Sequence, residues 1–388
     1  MTIADSTASG HDAVVPAVRM RDLGWLDWVT LAFPRFLGGF TFPDWLRMLG
    51  DQCWQVDAVF LPRSVLATLG AAMTSLVKPL DDACRMDSRD DAAWRRPTFI
   101  LGHGRSGTTH LFNLLARDPR FAHATHLEVF NPHTFITLRR LGLQHVLRML
   151  PTRRRAMDDV RVGWLSPAED SIALTVLGCQ GGKLHSIFPR TAAPEELAAE
   201  PFRAALAAFT RKLVHVHHRP LLLKSPEHTV RIRDILAVFP EARFVMIFRD
   251  PEAVMASIYN SARSAGMVWN ALQWPSSWPI EEVIDSVGSS IDAYFDAKPL
   301  IPPGNLVEVR HEDLVADEAG TLGTIYAGLG LAPPPAGQPA SRGASARPYR
   351  RTAHPQLDAA VRDRLQLRCR RLHAAGWYAA GARDPRVP

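Results

Sequence analysis

One segment constrains this chain more than any other. The apolar run Thr98-Phe99-Ile100-Leu101 passes directly into Gly102-His103-Gly104-Arg105-Ser106-Gly107-Thr108-Thr109, and an amphipathic stretch with His110, Leu111, Leu114 and Leu115 follows. A strand, a glycine loop and a helix in that order gather backbone N–H groups and the positive end of a helix around an anion. The segment is therefore read as a cradle for phosphate or sulfate. Gly102 and Gly107 fit a G-x-x-x-x-G spacing, but Thr108 stands where a nucleoside-triphosphate loop carries its lysine. That lysine reaches the β- and γ-phosphates and the next hydroxyl holds Mg²⁺, so its absence argues against ATP or GTP hydrolysis. Arg105, inside the loop, offers a planar fork of donors instead.

Such a loop needs a buried sheet behind it. Short continuous apolar runs recur at 98–101, 221–223, 243–248 and 306–309, and runs of this kind suit parallel strands covered on both faces by crossover helices. The stretch from Pro194 to His215 has helical patterning, and a final helix is expected from His354 to Ala375. The fold class expected is α/β: a P-loop-like three-layer fold with a central parallel sheet flanked by helices, plus an α-helical N-terminal subdomain. The division runs as a disordered tail at 1–15, the helical subdomain at 16–95, the core at 96–330, a Pro/Gly-rich loop at 331–348 and a C-terminal helical segment at 349–388.

Composition narrows the class. Of 388 residues 47% are hydrophobic and 22% charged, near the average for globular chains, which excludes a wholly disordered or fibrous protein. The formal charge of +6 is too dilute to imply a nucleic-acid partner, yet a few placed cations suffice for a phosphorylated ligand. Cys53, Cys84, Cys179 and Cys369 are scattered, which fits neither a zinc knuckle nor a disulfide framework. His215-Val216-His217-His218 is read as solvated side chains at a helix end, and no metal is expected. The polar start lacks a basic segment before an apolar one, and the longest apolar stretch, Ser64 to Val77, is 14 residues, too short to span a bilayer. A cytoplasmic protein is expected, with peripheral membrane contact through the 64–77 helix left open.

Three further stretches carry chemistry. Arg249-Asp250-Pro251 closes the run at 243–248, with Asp250 as N-cap, Pro251 at the first helical position and Ser257 eight residues after Arg249. Leu221-Leu222-Leu223 ends in Lys224-Ser225-Pro226-Glu227-His228, and Arg310-His311-Glu312-Asp313-Leu314 follows the fourth run. Together with the glycine loop, these stretches resemble the sulfotransferases that use 3′-phosphoadenosine 5′-phosphosulfate (PAPS) and release 3′-phosphoadenosine 5′-phosphate (PAP). The branch resembled is bacterial, closer to the tyrosylprotein enzymes than to the phenol enzymes, and the likeness covers roughly residues 96–330. One departure is His103-Gly104, where the family loop carries proline.

The resemblance implies roles. Arg105, Ser106, Gly107, Thr108 and Thr109 would hold the 5′-phosphosulfate, and Arg249 with Ser257 the 3′-phosphate. Lys224, beside Arg105, would stabilise the bridging oxygen and the moving sulfuryl group. For the base, Phe121 to Glu128 is read as a short second strand with Glu128 near its carboxyl end, where the tyrosylprotein and heparan-type enzymes place a glutamate. His126 shares a strand face with Glu128 by period-two alternation, and phenol-type enzymes use a histidine, so the choice stays open. Glu169 and Asp170 in Ser166-Pro167-Ala168-Glu169-Asp170 are further candidates for acceptor binding or helix initiation. Arg139, Arg140, Arg148 and Arg153-Arg154-Arg155 read as a solvated helix face; of Arg342, Arg347, Arg350 and Arg351, one is a candidate to reach the 3′-phosphate.

The acceptor is legible only in outline. Tryptophans at 25, 28, 45, 54 and 94 and at 269, 274 and 278 suit either a subdomain core or an aromatic-lined pocket for a lipid or other hydrophobic hydroxyl or amine. Two rival readings remain: a P-loop kinase or NTPase, and an inactive nucleotide-binding protein at a membrane surface. Oligomeric state is not legible.

Overall fold

The computed structural model describes residues 14–84, 91–154, 160–178, 182–191, 198–333 and 357–378. Residues 1–13 of the expected tail, Cys179, and the late arginines 342, 347, 350 and 351 lie outside the described residues. Val14 and Val15 form a short strand, β1 (Val14–Val15), paired antiparallel with Trp278 and Pro279, so the tail ends earlier than 15.

Helices build the N-terminal layer: α1 (Trp25–Leu31), α2 (Phe42–Asp51), α3 (Leu61–Asp82) and α4 (Asp91–Arg95). Thr41 caps α2 by accepting the Asp44 N–H, and Pro43 sits in its first turn, where a missing donor costs nothing. Trp45, Phe36, Phe40, Phe60 and Ala71 form an apolar cluster that continues into Val268 and Leu272. The backbones at Gly38 and Gly70 touch: a Cβ on Gly70 would come within 2.9 Å of Gly38 Cα, so this crossing needs glycine. α3 is pinned at both ends of its inner side. Buried Arg63 donates to the carbonyls of Val268 (2.9 Å) and Ala271 (2.6 Å), and Asp81 accepts the N–H groups of Ile136 and Thr137 and pairs with Lys212 at 2.8 Å.

The core follows in chain order. β2 (Thr98–Leu101) leads through the glycine loop to α5 (Thr108–Leu115), then α6 (His126–Phe130), α7 (Phe135–Arg140) and α8 (Leu143–Arg148). A two-stranded antiparallel pair, β3 (Arg153–Arg154) and β4 (Arg161–Val162), precedes α9 (Ser171–Gly178), α10 (Gly182–Ile187) and α11 (Ala199–His217). Next come β5 (Leu222–Lys224), α12 (Ile232–Val238), β6 (Arg243–Phe248), α13 (Pro251–Ala262), β7 (Trp278–Pro279) and α14 (Ile280–Ala297). β8 (Leu306–Arg310), α15 (His311–Ala316), α16 (Glu318–Gly328), α17 (Ala359–Arg368) and α18 (Arg370–Ala374) complete the described chain.

The expected strands assemble into one parallel sheet in the order β5-β2-β6-β8. Alternation along the strands divides their side chains between two layers. Phe99, Leu101, Phe244 and Met246 pack against α11, α12 and α14, while Ile100, Val245, Ile247 and Val309 pack against α5 and α16. All four strands end at one edge, so Gly102, Ser225 and Arg249 begin loops there and His311 opens α15, the edge at which open α/β sheets collect ligands.

Two local readings are corrected. Residues 121–128 are not a strand: Ala122 bridges Leu221 and Thr125 bridges Pro167 singly, and α6 begins at His126. The backbone N–H and the hydroxyl of Thr125 both donate to Glu128 Oε2, at 2.7 and 2.8 Å, so Glu128 is the third helical residue and supplies the acidic arm of a capping box. The C-terminal helix is divided in two, α17 and α18, with Cys369 between them.

Candidate functional site

The loop after β2 has the backbone shape an anion cradle requires. Gly102 (φ +147°), Arg105 (φ +71°) and Gly107 (φ +96°) all lie in left-handed territory, unusual for the arginine. A Cβ on Gly107 would fall 2.2 Å from the ring of His311, and one on Gly102 would meet Ser106 Oγ at 2.6 Å. The loop is tied down by the Gly102 N–H donating to Thr229 Oγ1 at 2.9 Å. His103, at the position of the family proline, bonds the Gly104 carbonyl at 2.7 Å and so stiffens the turn by other means. Burial lowers the His103 pKa, with that carbonyl partly offsetting the effect, which favours the neutral ring. Ser106 Oγ is buried and has no hydrogen-bond partner among the described residues, and Gly107 immediately precedes the N-terminus of α5. A buried hydroxyl left unsatisfied beside a helix N-terminus fits an anionic oxygen.

The end of β6 joins this loop. Arg249 Nη1 donates to the Arg105 carbonyl at 2.9 Å, and Arg105 Nε donates to Ser257 Oγ at 3.0 Å. Asp250 caps α13 by accepting from Glu252 N (2.7 Å) and Ala253 N (3.4 Å), with Pro251 first in the helix. Arg105, Arg249 and Ser257 are therefore one connected group. A cleft lined by His103, Ser106, Arg249, Val254, Val287 and Leu372 opens beside them.

The end of β5 brings a second group. Lys224 Nζ, nearly inaccessible, donates to Glu169 Oε1 at 2.6 Å and to Thr109 Oγ1 at 3.0 Å. Lys183, from α10, donates to Glu169 Oε2 at 3.0 Å and stands 3.9 Å from Glu227. Burial alone would push the Glu169 carboxyl up, but Lys183 and Lys224 outweigh it and hold the group well below the usual carboxylate range. Glu227 goes the other way: burial raises it, the nearby Glu169 charge adds to that, and Lys183 only partly offsets it. Beneath them His228 Nε2 lies 2.7 Å from Asp170 Oδ2, both side chains fully buried. Two carboxyls driven in opposite directions, beside an anion cradle, form the usual pattern of an acid–base site.

Residues 97–335 match the model of a family described as the Sulfotransferase family. This chain belongs to that family. Over 250 residues it is 30% identical to the omega-hydroxy-beta-dihydromenaquinone-9 sulfotransferase Stf3 of Mycobacterium bovis, and to the Stf3 of Mycobacterium tuberculosis. The match spans 61% of this chain and 63% of those relatives. Among solved structures, sulfotransferase STF9 from Mycobacterium avium is 16% identical with a TM-score of 0.49, covering 90% of this chain and 91% of that one. Sulfotransferase STF1 from Mycobacterium tuberculosis is likewise 16% identical, with a TM-score of 0.47 and coverage of 75% and 83%.

Within this chain the residues expected for base chemistry are placed differently from the reading of 121–128 as a strand. Glu128 has no exposed surface, and its carboxylate is committed to Thr125, to His217 Nε2 at 2.7 Å and to Arg139 Nη2 at 2.8 Å. Burial would raise its pKa, but His217 and Arg139 hold it below the ordinary value. His126 and Glu128, two apart on a helix, do not share a face, and His126 Nδ1 lies 3.2 Å from the Ser166 carbonyl. Arg139, read as part of a solvated face, is a partner of Glu128. His217, read as solvated, turns inward. Lys224 was expected from the sequence, but its companion on Glu169, Lys183, was missed: it is an isolated lysine with no flanking motif. Glu227 was visible inside Lys-Ser-Pro-Glu-His but carried no signal of its own. Among the described residues, no group of three or more His, Cys, Asp or Glu side chains is placed to hold a metal ion.

Proposed function

We propose that the protein transfers a sulfuryl group from PAPS to the hydroxyl of a hydrophobic acceptor, with Glu169 as the base. The observation that carries this reading is Lys224: one ammonium joins Thr109, at the start of the cradle helix, to a carboxylate that faces it. PAPS, when bound, supplies an activated sulfuryl group whose bridging S–O bond breaks as a new bond to the acceptor oxygen forms. The buried Ser106 hydroxyl, the positive-φ glycines and Arg105 fit its 5′ end, and Arg249 with Ser257 fits the 3′-phosphate.

Glu169 takes the acceptor proton. Without an anion in the cradle, two lysines depress its basicity. An anion beside Thr109 competes with Glu169 for Lys224, and each interaction Lys224 shifts to that anion raises the proton affinity of Glu169. Base strength is thereby coupled to occupancy of the cradle. Lys224 and Arg105 then oppose the charge developing on the leaving oxygen, a stabilisation worth most in a site screened from water. We assign Glu128 the role of holding α6, α7 and α11 together.

A hydrophobic alcohol as acceptor is supported by the relative whose name specifies an omega-hydroxy menaquinone derivative. The test is a thermal shift with PAP against ADP and ATP, followed by transfer from radiolabelled PAPS to hydroxylated isoprenoid acceptors. Selective stabilisation by PAP and labelled product are expected; equal stabilisation by ATP, or no labelled product, overturns the reading.

A further inference from the structure

The sulfotransferase site uses little of the N-terminal layer, whose outer surface is strongly apolar. On α3, Val65, Leu69, Met73, Leu76 and Leu80 are all exposed, Leu76 at 72%. Their spacing of three and four residues puts them on one side of the helix. No charged residue occurs between Arg63 and Lys78. Its inner side instead buries Arg63, Ser64, Ala67, Ala71, Thr74 and Asp81, so the large apolar side chains are the ones turned outward, as on a helix that lies against lipid or another apolar surface. Ala58–Asp82 contains an 18-residue window of mean hydropathy 1.3, long and apolar enough to cross a bilayer by length and composition, yet only 28% of that window is buried. Arg63, the Gly38–Gly70 crossing and Asp81 bind its inner side to the rest of the protein along its length. α3 is therefore held as a surface helix, half of which faces outward.

Two neighbouring elements have the same character. α1, whose chain continues into the Phe36–Phe40 turn packed with α3, exposes Trp25 (73%), Leu26, Trp28 and Val29. Indole rings favour the boundary between headgroups and acyl chains. α7 starts against the end of α3, where Asp81 accepts its first N–H groups. From there Leu141 (77%), Val146, Met149 (85%) and Leu150 point outward beside exposed Arg140 and Arg148. Between Glu128 and Asp158 the chain has no acidic residue but has arginines at 139, 140, 148, 153, 154 and 155. A segment of exposed apolar residues with Arg140 and Arg148 exposed among them complements an anionic surface with an apolar interior. It would repel its own image in a two-fold dimer.

We propose that α1, α3 and the α7–α8 segment form a docking face for an anionic bilayer, on which α3 lies in the plane of the interface rather than across it. The proposal goes beyond the catalytic reading and needs no turnover to be tested. The full chain is sedimented with vesicles of phosphatidylglycerol and phosphatidylcholine, and with phosphatidylcholine alone. Binding to the anionic vesicles is expected to be at least tenfold tighter and to weaken as salt rises. Arg140→Glu with Arg148→Glu should lower the anionic affinity more than tenfold, at about 1 kcal/mol per arginine near such a surface before repulsion is added. Leu69→Glu with Met73→Glu should abolish binding to both vesicles, with Tm and PAP-induced stabilisation unchanged because both side chains are exposed. Wild-type indifference to vesicles, or variants that bind like wild type, overturns the proposal. So does a dimer in sedimentation velocity that the Glu pair disperses while vesicle binding is absent, for then a second copy covers the face.

Discussion

Lys224 at the end of β5 and Glu169 in the loop before α9 are 55 residues apart in sequence and 2.6 Å apart in space. The pair joins the two halves of the site, because Lys224 also binds Thr109 at the start of the cradle helix. Its buried ammonium thus ties a hydroxyl of that helix to a carboxylate from the loop before α9.

Glu169→Gln should lower kcat by about 10²–10⁴-fold, since a general base contributes on that scale, while the KM for PAPS stays the same or falls, because the variant no longer competes with an anion for Lys224. Glu128→Gln should do the reverse, leaving kcat near wild type below its melting transition and lowering Tm by about 5 °C or more, as expected when one partner of a buried ion pair is lost. Steady-state kinetics and calorimetry on both variants separate the two; a larger kcat loss in Glu128→Gln returns the base role to that residue.

Arg249→Ala removes the bond to the Arg105 carbonyl and, on the proposed reading, a charged contact to the 3′-phosphate. At about 1.5–3 kcal/mol for such a bond, the PAPS KM should rise by roughly one to two decades. Ser257→Ala should cost less, about threefold to tenfold, because a neutral bond is worth about 1 kcal/mol. Isothermal titration with PAP provides the check, and unchanged affinity in the arginine variant excludes the clamp.

Acid should destabilise the protein through its buried carboxylates. Glu128 and Glu169 are both held below the ordinary glutamate range by the cations beside them. A group depressed in the folded state contributes stability that is full above its unfolded pKa and lost as pH falls through its folded one. The Tm gap between wild type and Glu128→Gln should therefore be constant near neutrality and narrow below about pH 4.5. A gap that stays constant throughout the acid range would show that Glu128 is not the titrating group.

Gly107→Ala places a Cβ 2.2 Å from the His311 ring at a φ that L residues rarely adopt. PAP-induced stabilisation should largely disappear, while the core melts within a few degrees of wild type. Retained PAP affinity would mean the loop shape is not what holds the anion.

Much of this was legible beforehand. The four apolar runs became the four strands almost residue for residue, because a run covered on both faces has few alternatives. Asp250-Pro251 began a helix as its chemistry requires. The failure at 121–128 was also legible: Thr125-His126-Leu127-Glu128 is a capping-box sequence, and that local signal outweighs period-two alternation over so short a stretch. Lys183 had no such signal, since a lone lysine on a short helix has no pattern that distinguishes it from a solvated one.

By itself the amino-acid sequence determined the strands, the glycine cradle and the cations at the strand ends, because backbone sterics and hydrophobic periodicity act over a few residues. Only the tertiary structure decided which carboxylate faces Lys224. The chain favoured Glu128 as the base and Glu169 for acceptor binding or helix initiation, but Glu128 is enclosed by Arg139 and His217 while Glu169 meets two lysines. Which charges become neighbours depends on long-range packing, and it is those neighbours that set the work a carboxylate can do.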